Sequence, residues 1–444
     1  MSRIKEVLVN IFKIPELRNR ILFTFALLAV FRLGYFIPVP GVDVNALREL
    51  VGNLEKNFKA ISFLAIFSGG ALSQFSIFSL GIMPYITASI MFSLLIKVIP
   101  SLEALSKEGP SGHRKISQYT RLATLPVCLL WSITTIATIS AFKTQGGASL
   151  ITAPGFWSFS LPTICSLTAG AMFLMWLGEQ ITEYGIGNGA SLIIMAGIID
   201  RMPRAVVQMV DAVQKDQLSI DRPLILLVLY VLVIIAIVYT TQAQRRIPVQ
   251  YAKHIRGQKV YGGQRHYLPL RVNQAGVMPV IFASTLMVIP QLIAQFTGSD
   301  ILKHVFSRSE SGFWYITFYS ALIFFFTYFW TALYFRPVEM SEHLKEWGSF
   351  VPGIRPGRET ADYMEKVMNR ITLSGAMFLV AIAVLPNIVS AVLGLDMYVT
   401  AFLGGTGILI VVGVGLDLMQ KIESQLIVRE YEGFLSKGRV RGRR

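Results

Sequence analysis

The chain has little charge. Only 15% of its 444 residues are Asp, Glu, Lys or Arg, 53% are hydrophobic, and the mean hydropathy is +0.56. A soluble domain is about 25% charged, so water does not solvate most of this surface, and the composition is that of a polytopic membrane protein. Cysteine is scarce too. Cys128 and Cys165 both fall in apolar runs, which excludes a disulfide framework and predicts two buried free thiols. No Asn-x-Ser/Thr acceptor occurs, and the first twenty residues lack the short apolar core and small-residue cleavage site of a signal peptide. They read instead as a basic amphipathic helix on a membrane face.

Catalytic and coupling motifs are missing as well. There is no Walker loop, no HExxH and no cluster of Cys and His ligands. Gly185-Ile186-Gly187-Asn188-Gly189 is glycine-rich, but no strand precedes it to make a dinucleotide site. Ion-coupled transporters need ionisable groups at membrane depth. Here Arg32 is the one charge well inside an apolar run, with Lys97, Glu179, Glu183 and Asp417 near the edges. No metal site and no cofactor are expected.

What is present is a series of apolar runs. Spans are expected near 21–38, 75–96, 119–141, 156–178, 189–200, 223–241, 275–296, 313–335, 372–394 and 397–416. The net charge of +15 is unevenly spread. With the N-terminus inside, the inner segments hold thirty Lys and Arg and the outer segments ten. This orients both termini to the cytoplasm. Five spans precede residue 222 and five follow it, so the second half would insert upside down relative to the first. The fold class expected is an all-α polytopic protein of ten spans in two inverted halves around a central pore. Its parts are an N-terminal helix 1–20, halves 21–222 and 223–416, and a basic tail 417–444.

Three inner segments are basic and motif-like: HRKISQYTR from His113, QRRIPVQYAK from Gln244, and FVPGIRPG from Phe350. Positive-inside anchoring accounts for the first as well as docking does. The loop 242–272, with seven Lys and Arg, exceeds what orientation requires and offers a surface to an acidic or phosphate-rich partner. In the loop 336–371, Pro352-Gly353 and Pro356-Gly357 bracket Arg355 with turn formers, which holds it as a contact residue.

The stretch ISFLAIFSGGALSQ, 61–74, is too short to span, and its Gly-Gly and polar residues suit a segment buried in protein rather than lipid. Gly81, Pro84, Thr87 and Ser89 follow it in a run suited to a cavity or a moving neighbour.

The stretches FSGGALSQFSIFSLGIMPYITASI, FLMWLGEQITEYGIGNGASLII, QRRIPVQYAK and FVPGIRPGRET together resemble the SecY family, the pore subunits of the bacterial protein-conducting channel. The resemblance covers essentially the whole chain. It implies a clam-shell of two halves around an hourglass pore, opening sideways between the second and third and the seventh and eighth spans. It makes 61–74 a plug, with Phe67, Ser68, Gly69, Gly70, Ala71 and Leu72 at its centre. By motif the pore ring falls on Ile82, Ile86, Ala190, Ile194, Ile281 and Ile410, and the lateral gate on Thr87, Ser89, Asn273 and Ser284. Docking of cytosolic partners falls on Arg245, Arg246, Lys253, Arg256, Arg355 and Arg358. The implied partners are SecE and SecG, the SecA motor ATPase, the ribosome with its nascent chain, signal-sequence-bearing polypeptides and membrane lipid. The chain departs from the pattern at Ala190, where a bulkier aliphatic is usual, and at Thr241-Gln242, where a Glu often precedes QRRI. The function implied is a passive gated polypeptide channel in the bacterial cytoplasmic membrane, not an enzyme. The reading from another class is a secondary transporter built on inverted halves.

Overall fold

The computed structural model describes residues 14–42, 75–141, 155–215, 219–251, 254–256, 259–261, 265–297, 313–393 and 406–437. The segment expected as the plug, including Phe67 to Leu72, lies outside the described residues, as does Lys253. By internal contacts the chain divides into two compact units, Met1–Val206 with Val414–Arg444, and Val207–Gly413.

Helices α1 (Pro15–Gly34), α2 (Met83–Val98), α3 (Pro100–Lys107), α4 (Pro110–Ala141) and α5 (Leu161–Tyr184) belong to the first unit, with a π-helical turn Phe156–Ser160 leading into α5. Helix α6 (Gly189–Gln214) starts there and ends in the second unit, which holds α7 (Asp221–Gln242), α8 (Met278–Thr297), α9 (Phe313–Tyr334), α10 (Pro337–Glu346) and α11 (Arg358–Leu393). Helix α12 (Thr406–Lys437) starts in the second unit and ends in the first. Each of the ten expected spans overlaps one of these helices. Among the described residues, five helices are long and apolar enough to cross a membrane, or six if the bent pair α2 and α3 is one span.

Boundaries moved for local reasons. The span expected over 75–96 is helical only from Met83. Gly81 takes a left-handed φ of 59° and Pro84 occupies the first turn of α2, where its missing N–H leaves no helical bond unmade. Gly81 and Pro84 therefore start this helix rather than break it. Before it, Val39 donates its N–H to Phe75 at 2.8 Å and Ile77 donates to Ile37 at 3.0 Å, tying the chain after α1 to the approach to α2. The short expected span 189–200 lengthens to α6 by taking its C-terminal flank. Helix α1 runs unbroken from Pro15, so residues 15–20 continue the first span.

The first unit closes on a buried cluster of Val39, Phe75, Leu80, Cys128, Ile136, Phe159, Leu167 and Ala171. Close approach is a condition of this packing: a Cβ on Gly170 would sit 2.1 Å from the Ile77 carbonyl oxygen. Cys128 is buried as expected, but Cys165 is exposed. An apolar sequence environment marks a membrane span, and in a span the outward face is covered by lipid rather than by protein.

The second unit has two cores. One gathers Val233, Ile237, Val280, Ala283, Ile323, Leu379, Ile408 and Leu409 from α7, α8, α9, α11 and α12. The other gathers Ile247, Val249, Leu270, Phe335, Val351, Met364 and Met368, beneath a small sheet. Its strands β1 (Gln244–Tyr251), β4 (Arg265–Arg271) and β5 (Ser349–Phe350) run in the order β4-β1-β5, with β1 antiparallel to both neighbours. Strands β2 (His254–Arg256) and β3 (Lys259–Tyr261) form a second antiparallel pair. The alternation of Ile247 and Val249 inward with Arg246 and Pro248 outward is the period-two pattern of a half-buried strand.

Candidate functional site

In the first unit three expected or neighbouring wall residues meet on one glycine. A Cβ on Gly178 of α5 would lie 3.3 Å from Ile82 Cδ1, 3.4 Å from the Ala190 nitrogen and 3.5 Å from Ile193 Cδ1. The absent side chain lets the start of α2 and the first turn of α6 close on the same point of α5. That first turn is anchored: Gly189 donates its N–H to Thr182 Oγ1 at 2.9 Å, and the Thr182 hydroxyl donates to the Gly178 carbonyl at 2.8 Å. Gly189 must be glycine here, because a Cβ would sit 1.9 Å from the Gly178 oxygen. Ile86 and Ile194 are buried on α2 and α6, one turn beyond Ile82 and Ala190. In the second unit Ile281 is buried on α8 and Ile410 on α12. All six of these expected ring residues are uncharged.

The four polar residues expected at a lateral gate differ in their engagement. Thr87 donates its hydroxyl to the Met83 carbonyl at 3.0 Å, and Ser89 receives a bond from Ser93 on its carbonyl at 2.9 Å. Ser284 is buried, donates to the Val280 carbonyl at 2.7 Å and shares a 3.0 Å bond with the Tyr319 hydroxyl, so it faces the contact between α8 and α9. Asn273 presents a buried Oδ1 with no partner.

Of the loop residues, Arg245, Arg246, Arg355 and Arg358 are exposed. Arg245 and Arg246 project from β1, opposite Leu270 and Pro269 of β4. Arg256 pairs with Lys259 across β2 and β3. Arg355 lies in a turn with Gly353 at φ 83° and Gly357 at φ 109°. Two side chains hold that turn: Thr360 donates its hydroxyl to the Arg355 carbonyl at 2.8 Å, and Ser341 donates to the Gly357 carbonyl at 2.7 Å. Arg358 is exposed at the start of α11. Among the described residues no group of three His, Cys, Asp or Glu side chains could hold a metal.

The SecY family model matches residues 76–419. The protein translocase subunit SecY of Thermotoga maritima is 43% identical over 440 residues, covering 98% of this chain and 99% of its own. The chain belongs to the SecY family. The SecY subunits of Streptomyces scabiei, 44% identical over 433 residues, and of Thermus thermophilus, 43% over 440, cover it nearly as completely. A solved protein-conducting channel superposes with a TM-score of 0.64 at 16% identity, covering 96% of this chain and 95% of its own. Sec61 from a canine ribosome–channel complex gives 0.61 at 16% identity, covering 97% and 98%. At that identity the structural likeness concerns the SecY fold, and it agrees with a helical multi-pass membrane protein.

Two ion pairs inside this SecY fold escape a reading of motifs. Arg32 on α1 binds Asp200 on α6 through both guanidinium nitrogens, Nη1 to Oδ2 and Nη2 to Oδ1, each at 2.6 Å. Arg121 on α4 binds Glu179 on α5 at 2.7 Å. The signal available was a rule of charge compensation: a cation within an apolar run calls for an anion at similar depth in another. Asp200 sits at the edge of a run, where its depth is not evident from sequence.

Proposed function

We propose that this chain is the central subunit of a protein-conducting channel, which passes secretory polypeptides across the bacterial cytoplasmic membrane and releases membrane proteins sideways into it. The observation that carries the reading is the full-length identity, 41–44%, to translocase subunits, joined to the Ile82 and Ile193 side chains and the Ala190 backbone meeting at Gly178. An apolar lining suits a passage that must yield around varied side chains without binding any. Ile82, Ile86, Ala190, Ile194, Ile281 and Ile410 form its constriction, and residues 61–74 its plug. The halves 21–222 and 223–416 flank the passage, and Thr87, Ser89, Asn273 and Ser284 border the sideways exit.

The chain does no chemistry of its own in this reading. Work comes from a cytosolic motor ATPase, SecA, or from a ribosome elongating its chain, docked on Arg245, Arg246, Lys253, Arg256, Arg355 and Arg358. SecE and SecG complete the complex. Both termini are cytoplasmic, as thirty inner against ten outer cations require. An ion-coupled transporter would need a free acid at depth, whereas the Asp200 carboxylate is bound at both oxygens by Arg32. The test is reconstitution of the chain with SecE, SecG and SecA in vesicles. ATP-dependent protection of a signal-bearing polypeptide from external protease is expected, and its absence in a folded complex would refute the proposal.

A further inference from the structure

Helix α12 is shared between the two units. Its first residues cluster with the second unit, where Ile408 and Leu409 are buried in the core and Val412 packs against it. From Val414 onward it clusters with the first unit, where Leu418, Ile422 and Leu426 pack against Leu17 and Ile186. The changeover falls within Val412-Gly413-Val414-Gly415.

Glycine weakens a helix interior because it gives up the most backbone freedom on ordering. Gly413 has a partial steric reason, since a Cβ there would lie 3.3 Å from Val277 Cγ2. Gly415 has none: a Cβ would meet nothing within 4 Å. Packing within the chain therefore does not require Gly415 to be glycine, which leaves backbone compliance as its effect on the helix. The other place where the chain passes between units, Val206 to Val207, also lies inside a helix, and Pro203 precedes it by less than one turn. Proline removes a helical bond and crowds the preceding turn. Both crossings therefore carry a residue that softens the helix.

We propose that Gly413–Gly415 is a flexure in α12, which bends so that each end of the helix stays seated in its own unit while a polypeptide passes. This rests on the channel reading above. Bending needs no bond to break at the ends of the helix, because Ile408 and Leu409 on one side and Leu418 and Ile422 on the other anchor them.

The experiment uses the full complex with SecE and SecG in nanodiscs, with Cys128→Ser and Cys165→Ser, and spin labels at Met377 and Met419, both exposed. Distances are measured at rest and with a signal-bearing polypeptide stalled in the channel, and translocation is measured in parallel. In the parent the distance distribution is expected to shift on stalling. Gly415→Ala should narrow it and slow translocation about five-fold, and adding Gly413→Ala should slow it about five-fold more, as helix propensity scales with each glycine. Val414→Gly placed in the Gly415→Ala chain should restore both readouts, which a packing role would not allow. Unchanged distributions and rates in the double variant would overturn the flexure while leaving the channel reading standing, as would failure of Val414→Gly to rescue. A parent complex that moves no polypeptide would instead refute the channel reading, and the resting distributions would still decide the flexure.

Discussion

Arg32 and Asp200 are joined through both ends of the guanidinium, 2.6 Å for each bond, though 168 residues separate them. The Arg32 guanidinium also lies 4.5 Å from the centroid of the Tyr35 ring. Arg32 sits in the last turn of α1, where the helix dipole favours a cation. The side chains are 36% and 22% exposed, so the pair is only partly desolvated and its value lies between that of a surface bridge and a buried one. Arg32→Ala or Asp200→Ala is expected to lower the stability of the purified complex by about 1–2 kcal/mol. The exchange Arg32→Asp with Asp200→Arg should recover part of that loss, because the dipole then opposes the anion. Thermal unfolding in detergent measures it, and an exchange as unstable as the worse single variant would contradict a pairwise role.

The seal is a second measurable property. Narrow apolar walls cannot replace the hydration of an ion, and the water column between them tends to break. Ile86→Ser with Ile194→Ser should keep both helices and wet the constriction, so the resting complex in a planar bilayer should leak ions. Deleting residues 63–72 should leak too, and the combination more. Ala190→Ile is expected to tighten the seal slightly. Silent bilayers with the Ser pair would place the constriction elsewhere.

Orientation can be read by labelling. In a chain with Cys128→Ser and Cys165→Ser, Trp157→Cys should react with an impermeant maleimide added to intact cells, since Trp157 is 78% exposed in the π-helical turn before α5. Tyr267→Cys on β4 and Trp347→Cys after α10, both well exposed, should react only after permeabilisation. The reverse pattern would invert the topology.

The Arg355 loop separates contact from stability. Its side chain is exposed while its backbone is held by Thr360 and Ser341. Arg355→Glu should therefore change stability by less than about 0.5 kcal/mol yet abolish ATP-dependent translocation. Thr360→Ala, which frees the turn but keeps the charge, should slow translocation less. Degradation of the Arg355→Glu chain in cells would mean that the arginine serves the fold.

Much of the fold was legible because a bilayer imposes a length and a polarity on every crossing segment. The runs around Leu226, Ile323 and Leu379 read as spans and are helices. Helix starts were less legible. Gly81 and Pro84 read as residues inside the span expected over 75–96, and only the left-handed turn at Gly81 and the first-turn position of Pro84 reveal them as the beginning of its helix. Cys165 misled for a related reason, since hydropathy marks a residue as lipid-soluble without saying whether protein or lipid covers it.

The sequence by itself determined the membrane class and, through four long motifs, the family. These depend on composition and local spacing, which survive without knowledge of contacts. Only the tertiary structure decided that Gly178 receives both Ile82 and Ala190, that Asp200 neutralises Arg32, and that α12 leaves one unit for the other at Gly413. Each of these joins residues far apart in the chain or depends on the space around a missing side chain, and neither distance nor empty space is written in a local pattern.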